Sequence, residues 1–209
     1  MKLIRLSLKK ILPFFSYLFH PIFISVFATI FYFFVVTDRY FIYEAVYLYL
    51  IQVLLVTVFI PMACFYLLIM LGKIDSMMVT KVSQRKIPLV LHIVLLGTLI
   101  TKSITRDTMP ELYFFFLGSI LSSAIALILV YFGKKASLHL LGMSSLTVFC
   151  ICVSIHFHVR PVIFLSILLF CNGLVASSRL EMKAHSVKEL LIGYAVGLFP
   201  QLLLLFYWL

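Results

Sequence analysis

Three short polar stretches carry nearly all the residues of this chain that could do chemistry: "KIDSMMVTKVSQRKIP" (73–88), "GKKASLH" (133–139) and "SSRLEMKAHSVKE" (177–189). The last places His185 and Glu189 four positions apart, on one face of a helix, where a carboxylate can hold an imidazole N–H and fix its tautomer. A neutral histidine held in this way is an adequate nucleophile, and covalent transfer through it divides one hard displacement into two. A second histidine, His139, opens another apolar segment, and an imidazole titrating near neutrality suits proton donation. Both histidines sit at predicted helix N-termini, whose free N–H groups and dipole favour an anion such as phosphate. Arg179 and the neighbouring lysines could stabilise charge on phosphoryl oxygens in a partly dry pocket. With only 7 aspartates and glutamates in the chain, the carboxylates are too sparse to suggest a metal, and no cofactor is implied.

The spacing Ser178-Arg179, five residues, His185, three residues, Glu189 resembles the third signature of the type 2 phosphatidic acid phosphatase (PAP2) superfamily, with Glu in place of Asp. Upstream, "KKASLHLLGM" resembles that superfamily's second signature through Ser137 and His139, with Ala136 and Leu138 replacing its Pro and Gly. The first signature has its nearest counterpart in "KVSQRKIP", where Lys81, Arg85 and Pro88 stand at a different spacing. The resemblance covers roughly residues 133–200. It implies His185 as nucleophile, Glu189 as its orienting partner and His139 as general acid. Arg179, Ser137, Lys135, Arg85 and Lys81 would be phosphate ligands. The implied reaction is hydrolysis of a lipid phosphate ester or diphosphate through a phosphohistidine. Polyprenyl diphosphate, phosphatidate, phosphatidylglycerol phosphate and lipid A phosphates remain open as substrates.

The elements that must position these residues are membrane helices. The 209-residue chain is 64% hydrophobic and 11% charged, against about 25% charged for a soluble domain, and its mean hydropathy is +1.20. A span needs about 20 apolar residues, which predicts seven at roughly 11–37, 42–72, 87–104, 110–132, 138–158, 161–177 and 187–209. The expected fold is an all-α polytopic bundle of six to seven spans. It forms one domain over 1–209, with N-terminal spans in 1–132 and the PAP2-like part in 133–209. The first run is too long for a signal-peptide core and is expected to stay as a helix, with Pro61 kinking the second span. Gly193 and Gly197 continue the His185–Glu189 stripe and would admit a neighbouring helix closely. Cys64, Cys150, Cys152 and Cys171 lie in apolar runs and suggest neither disulfides nor a metal site.

The formal charge of +10 resides in short loops, which points to membrane topology and anionic lipid and not to nucleic acid. Thirteen of the 17 lysines and arginines fall on the side of the N-terminus, leaving Arg39, Lys102, Arg106 and Arg160 opposite. The positive-inside rule therefore makes that side, with the three polar stretches, cytoplasmic in a bacterial inner membrane. Plainer alternatives stand beside this chemistry. Ser137 could be only a helix cap, and Lys81, Arg85 and Lys86 only topological anchors. His20 and His92 are expected to pack against helices or water, His156 and His158 to be interfacial, and the many Phe and Tyr to face lipid. The whole could be a PAP2-like lipid-binding or interaction module without turnover, or a small transporter. A transporter would carry its charges within the spans.

Overall fold

Apolar segments of this length satisfy their backbone N–H and C=O groups in lipid by forming helices. In the computed structural model, which describes residues 11–36, 43–79 and 81–209, the chain is helical and the described residues contain no strand. Helix α1 (Ile11–Leu18) leads into α2 (Pro21–Ile30), which continues as a π-helical stretch, Phe31–Val36. Helix α3 (Tyr43–Leu54), a π-helical turn (Leu55–Phe59) and α4 (Ile60–Met70) form one long span. Then follow α5 (Lys86–Lys102), α6 (Pro110–Tyr131), α7 (Leu138–His156), α8 (Val162–Glu181) and α9 (Val187–Leu204). Lys2, Arg5, Lys9, Lys10 and Arg39, which weigh in the orientation count, lie outside the described residues.

Among the described residues six helical stretches are long and apolar enough to cross a membrane, so the chain is a multi-pass membrane protein. The expected first span is broken: α1 meets α2 at 65°, and the pair makes a seventh crossing only if counted as one. The break has a local cause. His20 is extended (φ −64°, ψ 140°) because the ring of Pro21 disfavours helix in the residue before it, and Pro21 then starts α2. At Pro61 the expected disturbance is a π-helical turn, Leu55–Phe59, just ahead of the ring. Pro61 cannot donate to the carbonyl of residue 57, and the widened turn accommodates it.

Helix α7 is buried along nearly its whole length and packs against α2, α6, α8 and α9. Its small residues make that possible. A Cβ at Gly197 would collide with the carbonyl of Leu141, and one at Gly193 with that of Ser137, so α9 lies directly on the α7 backbone. Ser145 Oγ donates across this contact to the Gly197 carbonyl (2.9 Å), and Asn172 of α8 donates to Thr147 (2.9 Å). Where lipid is as apolar as leucine, such close backbone approach and interhelical hydrogen bonds hold helices together. The phenylalanines divide between two roles. Phe14, Phe59, Phe170 and Phe206 face outward, whereas Phe31, Phe33, Phe115, Phe116 and Phe149 are fully buried. The expectation of lipid-facing aromatics thus holds for only part of them.

Candidate active site

The three polar stretches meet at one end of the bundle, and specific hydrogen bonds lace them together. Arg85, at the entry to α5, donates from Nη1 to the Ala136 carbonyl (2.7 Å) and from Nε to that of Val79 (3.1 Å). Lys135 Nζ donates to the Ala184 carbonyl (2.6 Å), and the Ser137 N–H to that of Glu189 (3.0 Å). Helix α1 closes the group: Ser16 Oγ bonds Ser178 Oγ (2.6 Å), and the Ser16 carbonyl accepts from His139 Nε2 (3.0 Å). The result is a continuous cavity of about 130 Å³ with Arg85, Arg179, His20, His139 and His185 among its walls.

His185 sits in the loop before α9, and its Nδ1 lies 2.9 Å from Glu189 Oε2. That oxygen also accepts the Ser186 N–H (3.1 Å), while Ser186 Oγ caps the Glu189 N–H (3.4 Å). The capping box therefore starts the helix and fixes the carboxylate in one operation. A carboxylate accepts, so Nδ1 carries the proton and Nε2 presents its lone pair. The His185 imidazole is held neutral, its pKa lowered to about 4 by burial and then by the charges of Arg85 and Lys135, with the Glu189 hydrogen bond opposing. Burial, and after it the charge of Arg85, also lowers the pKa of the Lys135 ammonium.

The cations have different fates. Arg179 is 2% exposed, and its Nε has no hydrogen-bond partner. Its Nη1 reaches only the sulfurs of Met78 (3.9 Å) and Met182 (3.8 Å). Among the described residues no carboxylate forms an ion pair with it. A buried guanidinium without an anion is costly, and this one borders an open cavity. Arg85 also lines the cavity but spends two of its nitrogens on carbonyls. Lys135 does not line it, being committed to Ala184. Lys81 lies on the surface, paired with Asp75 at 2.8 Å, and that pair holds the Asp75 carboxyl below its usual range. Ser137 is fully buried as the N-cap of α7, beneath Gly193, and does not line the cavity.

His20 was not legible as a site residue. Its ring meets that of His139 edge-on at 5.3 Å between centroids, and both line the cavity. Its Nδ1 accepts the Ile22 N–H (3.4 Å), which caps α2 and leaves Nε2 as the protonated nitrogen. The only signal was a histidine before proline within an apolar run, a pattern that also describes any broken span. The His139 Nε2 proton is engaged by the Ser16 carbonyl, so in the neutral ring Nδ1 presents the lone pair. Among the described residues no three His, Cys, Asp or Glu side chains converge to hold a metal ion.

No family model, curated protein or solved structure matches the chain.

The same cavity is also walled by Ile24, Pro61, Phe65 and Leu141, and by His92 and Ser123. A polar head and an apolar depth in one cavity suit an amphiphile carrying an anionic group.

Proposed function

We propose that the protein hydrolyses a phosphate ester or diphosphate carried by a membrane lipid, with His185 as the nucleophile. The observation that carries this is Arg179: a buried cation without an anion among the described residues, bordering the cavity onto which the histidine held by Glu189 also opens. In the reaction, His185 Nε2 forms a bond to phosphorus as the phosphorus–oxygen bond to the lipid breaks. The departing oxygen takes a proton from the His139–His20 pair, which enters this step carrying one extra proton. Water then gives a proton back to that pair as it attacks the phosphohistidine; the phosphorus–nitrogen bond breaks, its electron pair returns to Nε2, and phosphate is released. Arg179 and Arg85 stabilise the charge on the phosphoryl oxygens. By the lysine and arginine count, this end of the bundle faces the cytoplasm.

The second reading is a lipid-phosphate binding module without turnover. One observation favours it, the engagement of the His139 Nε2 proton by the Ser16 carbonyl. Phosphate release from a panel of lipid phosphates by the purified chain in detergent tests the choice. Release that disappears in His185→Ala is the expected result. Saturable lipid-phosphate binding with no release from any substrate would leave only the binding module.

A further inference from the structure

The apolar depth of the cavity contains one polar pair with a direction. His92 of α5 and Ser123 of α6 are joined across the helix interface, Nδ1 to Oγ, at 2.9 Å, and both line the cavity. Three other hydroxyls of this wall turn to main-chain carbonyls: Ser119 to Phe115 (3.0 Å), Ser145 to Gly197 (2.9 Å) and Thr57 to Val53 (2.8 Å). Ser123 differs, since its only hydrogen-bond partner among the described residues is His92. If Nδ1 donated, the Ser123 O–H and the Nε2 lone pair would both be left without partners. With Ser123 donating, a single group remains over, the Nε2 N–H of His92. A polar ring within a span, with one unspent donor beside a cavity, is a candidate for function.

Its depth relative to the cations fits a particular ligand. His92 lies seven residues after Arg85, which is two helical turns and about 10 Å along α5. Helical side chains lean toward the N-terminus, which brings the ring closer to the cationic end. The first acyl carbonyl oxygen of a glycerol phosphate lies six bonds from phosphorus, about 7 Å in an extended chain. A polyprenyl phosphate offers only hydrocarbon there and would leave that N–H unpaired.

We propose that His92, oriented by Ser123, reads an acyl carbonyl of the bound lipid, so that the cavity selects acylated glycerol phosphates over polyprenyl phosphates. This rests on the lipid-phosphate reading of the same cavity and adds the substrate class. His92 is the specificity-determining residue and Ser123 its positioning residue.

The test measures binding, so that it does not depend on turnover. Three non-hydrolysable phosphonates are titrated into the purified chain in detergent: a diacylglycerol phosphonate, its dialkyl ether analogue without carbonyls, and a polyprenyl phosphonate. The diacyl ligand is expected to bind about tenfold more tightly than the dialkyl one, the worth of a single good hydrogen bond. His92→Leu, an apolar change inside a span, should bring that ratio close to one and tighten polyprenyl binding, because no N–H is then left unpaired. Ser123→Ala should narrow the ratio part of the way, and His92→Gln should restore part of it. An unchanged ratio in His92→Leu, or a wild-type preference for the polyprenyl ligand, overturns the proposal. A diacyl preference without phosphate release from the corresponding ester sinks the phosphatase reading and leaves lipid selection standing. Failure of all three phosphonates to bind sinks both.

Discussion

The two ends of the bundle treat buried charge in opposite ways. At the end away from the cavity, Glu111 at the start of α6 is buried and fully occupied. Tyr32 donates to its Oε2 (2.9 Å), and His156, at the end of α7, stands 3.4 Å from Oε1. At the other end of the bundle, Arg179 of α8 is as deeply buried and has no anion among the described residues. The same helices serve both ends, so the contrast is not one of scaffold. A satisfied buried carboxylate fixes how α2, α6 and α7 meet. An unsatisfied buried cation beside a cavity stores electrostatic free energy that an anionic ligand can release.

The largest expected effect tests whether the cavity end is chemical at all. His185→Ala should lower lipid-phosphate turnover roughly 10³-fold or more and leave the fold intact, because the Ser186–Glu189 capping box does not need the ring. Lys183→Ala, two residues earlier, should retain full turnover. Full activity in both variants would reduce 177–189 to a loop. Arg179→Met comes next, with turnover falling roughly 10²-fold as one stabilising donor is lost. In the same variant the melting temperature in detergent should rise, because an unpaired buried charge has been replaced by an apolar side chain. A fall in melting temperature would mean that Arg179 is structural and that the two ends are alike.

The converse experiment is Glu111→Ala, which removes the carboxylate that the Tyr32 hydroxyl and His156 contact. It should cost about 2 kcal/mol of stability and leave turnover unchanged at temperatures where the protein is folded. Loss of turnover in a folded variant would break the division between the ends. A subtler effect concerns protonation. With its pKa lowered to about 4, His185 should remain neutral as pH falls through 6.5, and charge only near the lower value. Nitrogen-15 chemical shifts of histidine-labelled protein read this directly, and Glu189→Gln, which removes the opposing carboxylate, should push the titration lower still. The smallest effect is none. Lys81→Ala removes only an exposed pair with Asp75, and neither turnover nor stability should move beyond the small worth of such pairs.

Much of this contrast was legible in part. Helix positions and the close approach at Gly193 and Gly197 follow from hydropathy and spacing, and the His185–Glu189 bond from a separation of four. The convergence of the three polar stretches followed from alternate spans placing them on one side. The breaks at His20 and before Pro61 were harder to place, because proline announces a disturbance without saying whether the helix bends, widens or ends. The Glu111–Tyr32–His156 cluster was not visible. Its members come from three helices, and nothing local links residues 32, 111 and 156.

What the sequence alone determined is therefore the local part: which segments are membrane helices, where their polar ends lie, and which side chains share a helical face. These are consequences of chain geometry that repeats every few residues. What only the tertiary structure decided is the fate of each charge. Arg85, Lys135, Arg179 and Lys81 are all basic residues near the same polar loops. Packing makes the first a lace that also faces the cavity, the second a lace outside it, the third a buried unpaired cation and the fourth a surface pair. It also carries His20 to His139 across a separation of 119 residues. The free energy of a charge depends on the groups and the solvent within a few ångströms of it, and helices distant in sequence supply those neighbours.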